Sequence, residues 1–313
     1  MDRASFAVPA ALGPEARGGG AGPTLWAVSD LHAVVRANAS HIDSIRPSHP
    51  GDWLIVAGDV AEKPDKIIQV LGQLVARFAT VIWVPGNHEL FCSANDTYQG
   101  KEKYAYLVQR CREIGVLTPE DPFPSFAGVT IVPLFTLYDY SFRPPGWTVD
   151  QALAAAHERQ AVLTDQLMIA PFVNILEWCW DRLTYSIKRL SKVDGPMVLV
   201  NHWPLVVEPV QHLRIPEIGL WCGTTHTRAW AQRYDVRAVV YGHLHMPGTF
   251  VVDGVPHHEV SLGYPREWGR YGQARPWPVP ILGPQGEALE PYGPVGPQGR
   301  TEYLQLQGDG DGS

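Results

Sequence analysis

The sequence is short of cysteine and of net positive charge. Its four cysteines, Cys92, Cys111, Cys179 and Cys222, are scattered through 313 residues, and none forms a C-x-x-C pair. That scatter argues against a disulfide framework and points to reduced thiols in a cytoplasmic enzyme. No apolar run approaches the roughly 18 residues that a membrane span needs, so no membrane association is expected. A basic surplus is also missing: 25 Lys and Arg face 32 Asp and Glu, for a net charge of -7. A mildly acidic chain argues against a nucleic-acid partner, although it leaves room for a local basic patch. The opening "MDRASFAVPAALGPEARGGGAGP" has a short apolar patch, broken by Pro9 and followed by glycines. It makes a poor signal peptide, and residues 1–23 read as a disordered leader.

Apolar content, by contrast, is ample. At 45% hydrophobic, the chain can bury a large core, as one large α/β domain or two small ones. The pattern places a domain over 24–272 and a Pro/Gly-rich tail, mostly extended or disordered, over 273–313. Within the tail, Tyr303–Leu306 has the composition of a strand. Apolar runs that stop abruptly predict strands at 24–29, 52–57, 80–84, 129–135, 196–200 and 236–241. A hairpin follows, turning at Asp253-Gly254. Helical patterns cover 64–79 and 102–115, with two longer ones at about 150–169 and 172–191. Strands alternating with helices indicate an α/β fold.

The chemistry sits at the strand exits. After the first strand come Asp30-Leu31-His32, after the second Gly58-Asp59, and after the third Gly86-Asn87-His88-Glu89. Asn201-His202 and Gly242-His243-Leu244-His245 follow two later strands. Sites in open α/β sheets form outside the carboxyl ends of strands, where loops converge over a dry core. Two Asp, one Asn and four His, without thiolates, suit divalent metals of intermediate hardness, such as Mn, Fe, Zn or Ni. One ion does not need so many ligands; two ions do, if Asp59 bridges them. Glycines 58, 86 and 242 are expected to let the backbone turn sharply there.

These blocks resemble the signature of the calcineurin-like metallophosphoesterases over roughly residues 24–265. The resemblance implies a four-layer αββα sandwich of two mixed β-sheets flanked by helices. It implies one ion held by Asp30, His32, Asp59 and His245, and a second held by Asp59, Asn87, His202 and His243. The pair would be divalent or mixed-valence, with Mn or Fe favoured over Zn or Ni. Hydrolysis by a water activated between them follows from the same resemblance. His88 would face the substrate as the catalytic acid. Glu89 stands where many members have Asp, and it is expected to orient His88. The short "GDVAEK" carries no extra polar residue of the kind some members show after GD.

Specificity must come from accessory segments, at 136–193 (largely helical) and 205–230. They carry Trp147, Trp178, Trp180, Trp203 and Trp221. Trp178 and Trp180 read as core, while Trp203 and Trp221 read equally as core or substrate wall. Arg143, Arg214 and Arg228 are weak phosphate candidates, and Lys188, Arg189 and Lys192 form a weak basic face. "GDWLIVAGDVAEK", "VIWVPGNHEL", "LYDYSF", "LWCGTTHT" and "VSLGYPREW" are similar to stretches of actinobacterial 4'-phosphopantetheinyl hydrolases. That resemblance implies an acyl carrier protein as protein substrate, cleaved at the phosphodiester to its serine. Two alternatives stay open: a phosphoesterase acting on a nucleotide or other small ester, and a non-catalytic scaffold of this fold. Oligomeric state is not legible.

Overall fold

A computed structural model describes residues 22–271 and 276–291. The leader up to residue 21 and Tyr303–Leu306 lie outside the described residues. Among the described residues, ten strands form two mixed sheets. The first sheet is ordered β10 (Val279–Leu282), β1 (Leu25–Val28), β2 (Trp53–Val56), β3 (Thr80–Trp83). The second runs β4 (Ser125–Phe126), β5 (Val129–Pro133), β6 (Met197–Val200), β7 (Val236–Tyr241), β9 (Val255–Glu259), β8 (Gly248–Val252). The parallel strands are short apolar runs because they are covered on both faces.

Alternation along each strand sorts side chains into layers. Leu25, Ala27, Ile55 and Ile82 of the first sheet pack with Ile131, Val198, Val200, Ala238 and Val240 of the second. Their neighbours Trp26, Val28, Leu54, Val56 and Trp83 instead join a core containing helical Ile67, Leu71, Leu74 and Leu107. The expected sandwich is therefore present.

Register brings the strand exits together. Val28, Val56 and Trp83 are level across β1, β2 and β3. Pro133, Val200 and Val240 are level across β5, β6 and β7. The two sheets join at this end, where Ser29 after β1 bridges Ser261 after β9. Ser29 N–H donates to Val260 O, and Leu262 N–H to Ser29 O.

Two sequence expectations change and one holds. The tail's Val279–Leu282 is extended because it is a paired strand, antiparallel to β1. The predicted hairpin turns at Asp253-Gly254 with both residues at positive φ, as a tight Asp-Gly turn requires. The single helix expected at 150–169 is broken. Helix α1 (Val149–Glu158) stops in a Schellman motif, with Gln160 at φ +55. Ala161 N–H donates to Ala156 O and Gln160 N–H to His157 O. A short α2 (Asp165–Met168) follows, before α3 (Ile175–Leu190).

Candidate metal centre

The site is built on strained backbone. Of nine non-glycine residues at positive φ among those described, five are predicted ligands: Asp30, His32, Asp59, His243 and His245. Residues held in the left-handed region cluster at functional sites because the surrounding structure must enforce them. Here the enforcement is visible. Asp30 N–H donates to Gly58 O and His32 N–H to Asp59 O, while Gly263 N–H donates to Asp30 O.

Glycines act mainly by close approach. A Cβ on Gly86 would lie 2.2 Å from Asp59 Oδ1, and one on Gly242 would lie 2.0 Å from Ser29 Oγ. Only Gly58 of the three has a positive φ, at +91. The sharp-turn expectation therefore holds at Gly58 and is corrected at the other two.

All seven predicted ligands meet. His245 Nε2 lies 2.9 Å from Asp30 Oδ1 and 3.2 Å from His32 Nε2. His202 Nε2 lies 3.1 Å from Asn87 Oδ1 and 3.5 Å from Asp59 Oδ1. His243 Nδ1 lies 3.0 Å from the same Asn87 oxygen. Asp30 with His32 and His245, and Asp30 with Asp59 and His202, each gather ligand atoms within 4.8 Å. The donor set fits divalent cations. Imidazole nitrogens face one another and oxygens more than they face donors, and buried His243 Nε2 has no hydrogen-bond partner.

The protein's own charges set the protonation pattern. Burial opposes ionisation of Asp30 and Asp59, but the facing imidazoles hold both carboxyls below the usual range. Burial takes His32 down to about 4 and His243 down to about 3, leaving neutral rings with free lone pairs. His202 and His245 are also buried, yet carboxylates outweigh that: Asp59 and Asp30 raise His202, and Asp30 and Glu267 raise His245.

His88 sits at the edge, its Nε2 3.8 Å from Asp59 Oδ2 and its Nδ1 3.3 Å from Glu62 Oε1. Burial disfavours its charge, but Asp59, Glu62 and Glu89 raise it to about 9. His88 also falls within ligand range of His32 and Asp59, so distance alone does not separate acid from ligand. Its second nitrogen is taken by Glu62, which leaves one nitrogen for either role.

Several carboxylates here were missed or misassigned. Glu89 does not touch His88; it accepts N–H bonds from Asp59, Val60 and Gly86, tying two loops together. Glu62, from the "GDVAEK" stretch, makes the contact with His88. The buried Asp165 accepts from Asn87 Nδ2 at 3.1 Å, and Glu267 accepts from His245 Nδ1 at 2.7 Å. Tyr264 stacks on His32 with ring centroids 4.4 Å apart and planes at 12°. Only the acid-rich neighbourhood of each motif in sequence marked Glu62; nothing in the sequence marked Asp165.

The accessory candidates divide. Trp178, Trp203 and Trp221 are buried, whereas Trp180 is 52% exposed against His226, not core. Arg143 donates to the Trp147 and Tyr140 carbonyls, and Arg228 pairs with Glu208 and Asp253. Arg214 is exposed. Arg189 turns inward to the carbonyls of Pro119 and Asp121 and lies over Phe123, leaving Lys188 and Lys192 exposed. No helix among the described residues is long and apolar enough to cross a membrane.

Comparison with known proteins agrees with this geometry. The acyl-carrier-protein phosphodiesterase PptH of Mycobacterium tuberculosis is 50% identical over 262 residues, spanning 80% of this chain and 81% of that protein. The crystal structure of phosphopantetheinyl hydrolase PptH from the same organism superposes with a TM-score of 0.78 at 49% identity, covering 83% of this chain and 95% of that one. Residues 23–247 match the calcineurin-like phosphoesterase profile, and the chain belongs to that family.

Proposed function

We propose that the chain is a dinuclear-metal phosphodiesterase that releases 4'-phosphopantetheine from the serine of a holo acyl carrier protein. The observation that carries this reading is the meeting of seven ligand-type residues and His88 at the strand exits of a chain half identical to such an enzyme. Asp30, His32, Asp59 and His245 would hold one ion, and Asp59, Asn87, His202 and His243 the other. Transition ions of intermediate hardness, manganese or iron first, suit this mixture of imidazole, carboxylate and amide. Bound there, the pair supplies Lewis acidity and lowers the pKa of water toward neutrality.

The chain's own groups do the rest. Hydrolysis forms a bond from a water oxygen to phosphorus and breaks the bond from phosphorus to the serine oxygen. That leaving oxygen must take a proton. His88 is placed to give it: Asp59, Glu62 and Glu89 favour its protonated form against burial, and Glu62 fixes its Nδ1 so that Nε2 faces Asp59. Buried Trp203 packs edge-on against His202, ring centroids 5.2 Å apart.

Six of the nine exposed large hydrophobics fall in the two accessory segments: Trp147, Leu167, Leu176, Trp180, Ile187 and Ile215. Such a surface supports recognition of a long, partly apolar arm and its carrier better than recognition of a small polar nucleotide. We assign the specificity domain to 136–193 within the catalytic domain 24–272. The test is incubation with Mn(II) and holo carrier protein, followed by intact-protein mass. Loss of the phosphopantetheinyl group supports the reading. A carrier protein left intact while a nucleotide panel is cleaved overturns it, and no turnover of either favours the scaffold.

A further inference from the structure

Two carboxylates that do not belong to the strand-exit motifs each grip one candidate ligand, in different parts of the centre. Glu267 lies in α4 (Pro265–Tyr271), which begins beyond the last strand-exit block. Its Oε2 accepts from His245 Nδ1 and from Tyr264 N–H, both at 2.7 Å. With Nδ1 donating, the lone pair of His245 must sit on Nε2, the atom that faces Asp30 and His32. The helix is itself fastened: Trp268 Nε1 donates to Asn38 Oδ1, and Asn38 Nδ2 donates to Leu31 O and Gly263 O. A side chain at Gly263 would come within 2.5 Å of Glu267 Oε2, so the approach is built into the backbone.

Asp165 comes from a different segment, at the start of the short helix Asp165–Met168 after the Schellman break. It is 1% exposed, and its Oδ2 accepts from Asn87 Nδ2. An amide can turn over and present either end. Asp165 Oδ2 holds the nitrogen end, and the Asn87 oxygen is thereby aimed at His202 and His243.

We infer that Glu267 and Asp165 are positioning residues that govern the two cation sites separately, Glu267 through His245 and Asp165 through Asn87. This rests on the ligand assignment above. Outer partners of this kind are worth about 10- to 100-fold in metal affinity, because they fix the tautomer or rotamer of the ligand.

The metal-free full chain, titrated with Mn(II) while free Mn(II) is followed by electron paramagnetic resonance, tests this. Wild type takes up two equivalents. Glu267→Leu weakens one equivalent by about 10- to 100-fold and spares the other, and Asp165→Leu does the same. The double variant weakens both equivalents, because each substitution acts on a different one. Glu267→Gln and Asp165→Asn retain an acceptor oxygen and recover most of the affinity, which a purely structural role does not predict. Should a leucine variant fail to fold by circular dichroism, the alanine variants carry the same arm. Single variants that bind both equivalents like wild type overturn the inference, as does a double variant that weakens only one. Asp59→Asn separates the two failures. If it still binds two equivalents undiminished, the ligand assignment falls; if it loses both while the positioning variants are silent, only the inference falls.

Discussion

The two halves of the centre are built by different means. One half gathers Asp30, His32 and His245, backed by Glu267 and the ring of Tyr264. The other gathers Asn87, His202 and His243, backed by Asp165 and the ring of Trp203. Asp59 lies between them. In the first half the outer carboxylate is fully charged: burial opposes ionisation of Glu267, but His245 draws it down to about 2. In the second half burial wins, and Asp165 is pushed up to about 7. The first half therefore attracts a cation by charge. The second is backed by a more enclosed and less ionised carboxylate, and it should fill second.

Removing what the halves share has the largest expected effect. Asp59→Asn takes away the carboxylate that reaches both, and turnover should fall by roughly 10⁴-fold, the scale seen when one member of an interdependent set is lost. Steady-state kinetics with metal analysis checks this. A variant that keeps both ions and full rate would break the two-halves description at its centre.

His88 stands outside both halves and should matter only where a leaving group needs a proton. His88→Ala should slow cleavage of an alkyl phosphodiester by roughly 10³-fold, while p-nitrophenyl esters, whose leaving group is a weak base, lose much less. Equal losses on the two substrates would place His88 among the ligands instead, a position that distance alone allows.

Much of this was legible from residue types at strand exits. Asp30, His32, Asp59, Asn87, His202, His243 and His245 follow apolar runs whose ends must lie level once the strands pair in parallel. What sequence could not show was the outer layer. Asp165 is 78 positions from Asn87, and their meeting depends on a helix stop at Gln160, where no glycine announces it. Glu89 was misread because adjacency in sequence to His88 is not adjacency in space: in the helical turn Asn87–Leu90 the two point different ways. The tail strand Val279–Leu282 was missed because a run of four residues containing Pro280 carries no period. Proline is tolerated there because β10 is the edge of its sheet.

Acidity sharpens the contrast next. Each half contains one imidazole whose protonated form the facing carboxylates favour against burial, His245 in the first and, less strongly, His202 in the second. A cation must displace that proton. Affinity should then fall as pH falls, by about tenfold per unit for each half while that imidazole stays protonated. Calorimetric titration with Mn(II) at pH 8 and pH 6, in buffers of different ionisation enthalpy, should show protons released on binding, more of them at pH 6 than at pH 8. Binding that is indifferent to pH would mean that the facing carboxylates do not control these rings.

The smallest effect separates the halves most cleanly. Tyr264 stacks nearly flat on His32 and lies 5.3 Å from His245, yet among the described residues its ring meets none of the second half. Such a ring pair is worth about 0.5–1.5 kcal/mol, by restricting the imidazole to one orientation. Tyr264→Leu should therefore weaken one Mn(II) equivalent by about two- to tenfold and leave the other unchanged. Because Tyr264 N–H also holds Glu267 through the backbone, which leucine keeps, the side-chain contribution is isolated from that of the carboxylate. A loss shared equally by both equivalents would show that the halves communicate through His32 and Asp59. The difference between charge-built and enclosure-built sites would then describe one coupled centre, not two.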